Sequence, residues 1–188
     1  MFEKLIHFWR TNVDLKSGNY IAKDDQPFLK KYNLIPPHSF AEFVRSDFYG
    51  KKKSSEVHSG LLPRPYGGDI ENATIYFLMG NPGVGSWDYF DEENEDYRKE
   101  SIQNLHQEDL KKTDYPFLPL NPLYSWTGAG RYWNRKLSPL IEDVIGKRGG
   151  NYRNAASFIS KKFCVFELFP YHSKSFGIKN KDLKILPS

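Results

Sequence analysis

Cysteine is nearly absent. Cys164 is the one thiol in 188 residues, which excludes an internal disulfide and any zinc site built on several cysteines. Its apolar neighbours mark it as a buried structural thiol rather than a nucleophile, and a reducing, cytoplasmic setting is expected. Long apolar runs are missing too. Nothing approaches the roughly 20 consecutive apolar residues of a membrane span, and Met1-Phe2-Glu3-Lys4-Leu5-Ile6 lacks the apolar core of a secretion signal; a soluble protein with no membrane partner is expected. Gly80-Asn81-Pro82-Gly83-Val84-Gly85 lacks the Lys-Ser/Thr of a phosphate loop, and Gly83-Val84-Gly85 lacks the third glycine and immediate helix of a dinucleotide fingerprint. There is no Gly-x-Ser-x-Gly elbow. His7, His38, His58 and His106 are too scattered for a metal pattern, and the acidic stretch from Asp88 to Glu100 lacks calcium-loop spacing and its glycine. Neither a metal nor a cofactor is expected.

What is present suits one domain with a real core. Aromatic residues make up 16% of the chain, and each buried ring removes a large area from water. Lys and Arg number 27 against 23 Asp and Glu, a net charge of +4 that permits a polyanionic partner without demanding one. The segment Ala73 to Gly85 organises the reading. Ile75-Tyr76-Phe77-Leu78 is a continuous apolar run, which predicts a central strand covered on both faces. Gly80, Pro82, Gly83 and Gly85 then end it, because Pro cannot donate to a ladder and Gly opens unusual backbone angles. Ligands of open α/β sheets bind beyond the carboxyl ends of strands, so Asn81 would face a crevice.

Phe2, Leu5, Ile6 and Trp9 fall at helical spacing, which predicts an amphipathic helix over residues 2–13. Short helices are expected from Gln26 to Tyr32, ended by Asn33 before Pro36-Pro37, and from Ser39 to Phe48 with Ser39 as cap. Lys51-Lys52-Lys53 reads as a solvated basic loop. The acidic stretch reads as a surface segment leading into a helix through Ser101 to Lys112, and Tyr115 to Leu123 as an extended, proline-punctuated connection. A helix over Arg131 to Ile145 with Pro139 inside it, a short helix at Ala155 to Ser160, a second buried strand Phe163 to Phe169 and a third strand near Leu183 to Leu186 complete the pattern. Strand, helix and strand in this order imply a right-handed parallel crossover, hence an α/β three-layer sandwich with a mostly parallel sheet. Residues 1–60 would be a helical extension packed on a core of residues 61–188. So few strands close a core poorly, which predicts either further C-terminal sequence or a second copy or partner chain completing the sheet.

Pro170-Tyr171-His172-Ser173 follows the second strand as the Asn81 turn follows the first. His172 there could be a general acid, an anion contact or a hydrogen-bonded loop residue. The first turn resembles the first active-site motif of the uracil-DNA glycosylase superfamily, in its mismatch-specific and single-strand-selective branches, where a strand ends in Gly-x-Asn-Pro-Gly. Asn81-Pro82-Gly83 match, while Gly80 lies beside Asn81 rather than one residue earlier. Gly128-Ala129-Gly130-Arg131-Tyr132-Trp133 is similar to the glycine-rich lead-in of an aromatic-bearing helix in the same branches. The resemblance covers roughly Leu61 to Ser175. It implies a glycosylase-like fold, a DNA or nucleobase partner, and hydrolysis of an N-glycosidic bond on a base flipped from the stack. Asn81 would orient the water, His172 would assist the departing base, and Gly80, Pro82, Gly83, Glu167, Tyr171 and Ser173 would bind substrate. Glu167 stands where several branches place an Asn that reads the base, so it would accept from an exocyclic amine or be a buried acid satisfied by the fold. There is no His-Pro-Ser motif. The alternative expectation is a binding or interaction domain on the same scaffold that has lost the chemistry.

Overall fold

In the computed structural model, residues 2–32, 34–35, 37–50 and 55–188 are described. The expected helix end at Asn33, Pro36 and the basic run Lys51 to Lys53 lie outside them. The elements in chain order are α1 (Glu3–Asn12), α2 (Gln26–Leu29), β1 (Leu34–Ile35), α3 (Phe40–Arg45), β2 (Val57–His58), β3 (Tyr66–Gly67), β4 (Ile75–Met79), α4 (Asp88–Glu93), α5 (Glu95–His106), α6 (Gly128–Arg148), α7 (Tyr152–Ser160), β5 (Phe163–Glu167) and α8 (Asn180–Leu183). Among the described residues the fold is a mixture of helices with two small sheets. β1 pairs with β2 in parallel, and a second sheet has the order β3-β5-β4.

β4 and β5 run parallel, from Ile75 opposite Phe163 to Met79 opposite Glu167, and β3 is antiparallel to β5 with Tyr66 opposite Phe166. The expectation of a central β4 is thereby corrected. β5 holds the centre, β4 is an edge, and Ile75, Tyr76, Phe77 and Leu78 are 42%, 47%, 45% and 67% exposed. An uninterrupted apolar run shows that neither face carries charge; it does not say how many strands flank it. The third strand is also not where it was expected. Residues 180–183 form α8, and the third strand is β3, whose two residues are too few for any periodicity to show.

Paired residues of parallel strands project to the same face. Phe163, Val165 and Glu167 therefore share a face with Ile75, Phe77 and Met79. Against it lie α6 and α7, through Leu137, Ile141 and Ile159, with Phe117 and Leu120 from the preceding connection. On the other face α1 approaches, its flanking Phe2 ring 5.6 Å from Phe166 and 6.5 Å from Tyr76. Ile6, Trp9, Ile21 and Leu29 from the first sixty residues join Ile70, Cys164, Phe169 and Tyr171 in one core. Fully burying each such large side chain contributes about 1.5–3 kcal/mol.

Side-chain caps mark the starts of α3, α5, α6 and α7. The Ser39 side chain accepts from Glu42 N, Asn94 from Tyr97 N, Thr127 from Gly130 N and Asn151 from Asn154 N. α6 begins three residues earlier than the apolar face suggested and passes through Pro139 without ending, although that residue donates no helical bond. The proline-rich connection is tighter than expected. Leu118–Leu120 and Pro122–Tyr124 are single 3-10 turns, because Pro in a first turn lacks only a donor that the turn does not use. Among the described residues no helix is long and apolar enough to cross a membrane.

Candidate functional site

A cavity of about 490 Å³ opens at the carboxyl ends of β4 and β5. The strand register explains its polar floor. Glu167 is the last residue of β5, opposite Met79 and on the face that carries Val165, and Asn81, just past the bend at Gly80, lines the same cavity. Asn81, Pro82, Gly83, Glu167 and His172 all line the cavity.

The Asn81 amide is held in one orientation. Its Nδ2 donates to Pro82 O (2.9 Å), Ser173 O (3.1 Å) and Ser173 Oγ (2.9 Å). The Ser173 hydroxyl donates onward to Ser175 O at 3.0 Å, so it accepts from Asn81 rather than donating to it. With the nitrogen fixed by three acceptors, Oδ1 is the acceptor end of the amide, suited to a water or a ligand donor. Glu167 contrasts with this. Its Oε2 is buried with no hydrogen-bond partner among the described residues, and burial alone pushes the carboxyl up to about 8. It is therefore a neutral acid at pH 7, with one donor and one acceptor, rather than the acceptor-only carboxylate considered from sequence.

His172 is 4% exposed. Its Nδ1 lies 2.8 Å from Gly83 O and its Nε2 3.2 Å from Leu62 O. Burial, aided by Arg64, pushes it down to about 3, so the ring is neutral and its single N–H serves one carbonyl at a time. Both nitrogens face backbone, and the ring braces the Gly83 turn against Leu62. Three sequence-derived site residues do not reach the cavity wall. Tyr171 points into the opposite core, where its hydroxyl donates to Asp25 Oδ2 (2.5 Å), accepts from Ala22 N (3.1 Å) and its ring packs on Trp9. The chain bends at Leu168 and Phe169, which breaks the alternation of β5 and puts Tyr171 and Phe169 in the core with Cys164 rather than on the face of Glu167. Ser173 acts through Asn81, and Gly80 through its carbonyl, which accepts from Phe169 N.

Other lining residues come from segments that sequence proximity could not join. Phe117, Tyr132 and Trp133 form aromatic wall, with Phe117 and Trp133 edge to face at 5.3 Å. Arg64 donates to Tyr97 OH at 2.9 Å and lies 3.8 Å from Glu92. Glu92 also accepts from Leu62 N at 3.1 and 3.2 Å and meets Arg98 at 3.4 Å; burial nevertheless pushes it up to about 7. Asp88 accepts from Gly85 N and is raised to about 6, mainly by burial with Asp91 adding. Asp91 accepts from Gly128 N at 2.8 Å, which anchors the start of α6. The acidic stretch is thus not wholly the surface segment expected: Asp91 and Glu92 are 3% and 7% exposed. Asp88, Asp91 and Glu92 at i, i+3 and i+4 share one helical face, a spacing that could have flagged it. Ser101 also lines the cavity, and its buried Oγ lacks a partner. Among the described residues no three His, Cys, Asp or Glu side chains group as a metal site.

No protein-family model, curated protein or solved structure matches the chain. An oriented amide oxygen, a neutral carboxylic acid and aromatic walls on one pocket suit a planar heterocycle with a polar edge.

Proposed function

We propose that this cavity takes a nucleobase and that the protein hydrolyses the N-glycosidic bond of uracil or a related damaged base in DNA. The observation that carries the reading is Asn81. Its nitrogen is bound by Ser173 and Pro82, which leaves its oxygen to hold a water against the sugar carbon. An amide orients water by hydrogen bonding but is a poor base, so the rate would depend on assisting the base to leave. Phe117 and Trp133 would hold the ring of a base extruded from its stack. The motif Asn81-Pro82-Gly83 and the glycine-rich start of α6 support the same reading, with β4 and β5 as the nucleus of a glycosylase-like three-layer sandwich. The reading invokes no cofactor or metal.

The test is to incubate the protein with labelled single-stranded and duplex oligonucleotides carrying uracil, hypoxanthine or a mismatch, then cleave abasic sites with alkali. Strand cleavage by the native chain that falls at least 100-fold in Asn81→Ala, with unchanged thermal melting, is expected. Equal cleavage by both proteins would remove Asn81 as the water-orienting residue.

One observation favours a second reading, an interaction domain on this scaffold. Ile75 to Leu78 leave an uncharged apolar strand edge open, and such edges template pairing with another strand. The partner proposed is a second copy of the chain: an edge with no charged residue meets itself across a two-fold axis without repulsion.

A further inference from the structure

We propose that Glu167 is the general acid that protonates the departing base. The inference rests on the glycosidic reading of the same cavity and supplies the leaving-group assistance that Asn81 cannot give. His172, the residue that position in sequence suggested for this task, has both ring nitrogens against the carbonyls of Gly83 and Leu62. Glu167 instead stands on the floor beside the Asn81 turn, opposite Met79 in the parallel ladder. Its Oε2 is a buried polar atom with no partner among the described residues, a costly arrangement unless a bound group completes it. Ser101, with its own unpartnered Oγ, lines the same cavity and would meet another polar atom of the same ring.

The step balances as a hydrolysis. The bond between the sugar carbon and the ring nitrogen breaks, and its electron pair moves onto the base. The Glu167 proton passes to a ring nitrogen or carbonyl oxygen of the base, which leaves neutral. Water held by Asn81 adds its oxygen to the sugar carbon, and the proton it loses returns Glu167 to the acid form. An acid must carry its proton at the working pH, and burial raises Glu167 to about 8 with no charged neighbour contributing. Among the described residues the other titratable groups around the cavity are Arg64, Tyr66, Asp88, Tyr97, Tyr132 and His172. Asp88, raised to about 6, and His172, lowered to about 3, would put their transitions elsewhere.

The experiment measures single-turnover base release from oligonucleotides carrying uracil and, in parallel, 5-fluorouracil, whose better leaving group needs less protonation. The native chain should show a plateau below about pH 8 and a tenfold fall per pH unit above it with uracil, and a shallower fall with 5-fluorouracil. Glu167→Gln should lower uracil release by about 10²–10⁴-fold, flatten the pH profile, keep oligonucleotide affinity within a few-fold, and lose at least tenfold less on 5-fluorouracil. Equal losses on both substrates, or native rates with the native profile in Glu167→Gln, would overturn the assignment while leaving the glycosidic reading standing. If Glu167→Gln does not fold, the native profiles decide: identical pH dependence on both substrates overturns it. No base release by the native chain from any substrate removes the glycosidic reading and this inference with it.

Discussion

At the residue scale, the cavity depends on contrasts between neighbouring polar groups. Asn81 is satisfied on one end and open on the other; His172 has a carbonyl against each ring nitrogen and one N–H to share between them; Glu167 has a buried oxygen without a hydrogen-bond partner among the described residues. That last state has a consequence for stability. The folded-state pKa of Glu167 lies above that of an unfolded chain, so the folded form holds its proton more tightly. Its contribution to stability is complete below about pH 4.5 and is lost as pH rises through about 8. Glu167→Gln removes this titration without changing shape. The Gln variant should gain melting temperature relative to the native chain as pH rises from 5 to 8, with the gap levelling above 8. Parallel melting curves across that range would show that Glu167 is not held neutral.

At the scale of elements, β4 carries the sharpest difference between pattern and placement. Five residues without a charge were expected inside a sheet, and they stand at its edge. If a second copy pairs there, the native chain should show a molecular mass in light scattering that rises with concentration, and Leu78→Lys should return it to the monomer. Leu78 is 67% exposed, so the substitution should change monomer stability by no more than about 0.5 kcal/mol. A native chain that stays monomeric at high concentration would remove the self-pairing reading. Helix positions were more legible than strand order, because caps and 3.6-residue periodicity are local. Ser39 before Phe40 and the apolar face of α6 could be read directly, whereas β3 could not: it is a strand only because β5 lies beside it.

At the scale of the whole molecule, Glu92 joins parts that are distant in sequence. It accepts from Leu62 N and faces Arg64 and Arg98, tying the loop before β3 to α4 and α5 along one side of the cavity. Removing one partner from a buried ionic cluster leaves the other uncompensated, at a cost of about 3–5 kcal/mol. Glu92→Ala should therefore lose about that much in urea unfolding, and a loss under 1 kcal/mol would mean that Arg64 finds solvent instead. The first sixty residues belong to the same assembly, since Trp9, Ile21 and Leu29 share a core with Tyr171 and Cys164.

Sequence by itself determined the things that depend on near neighbours: the start of α3 at its Ser39 cap, the apolar face of α6, the two apolar strands, the Asn81 turn at a strand end, and the buried thiol of Cys164, which burial pushes up to about 12. Tertiary structure decided what depends on distant partners. It put β5 rather than β4 at the centre, turned Tyr171 into the core beside Asp25, closed His172 against two carbonyls, and brought Asp91 and Glu92 inside. It also left Glu167 neutral. The physical reason is the same in each case: a side chain's residue type states which bonds it can make, while burial and the groups placed opposite it decide which of those bonds are made.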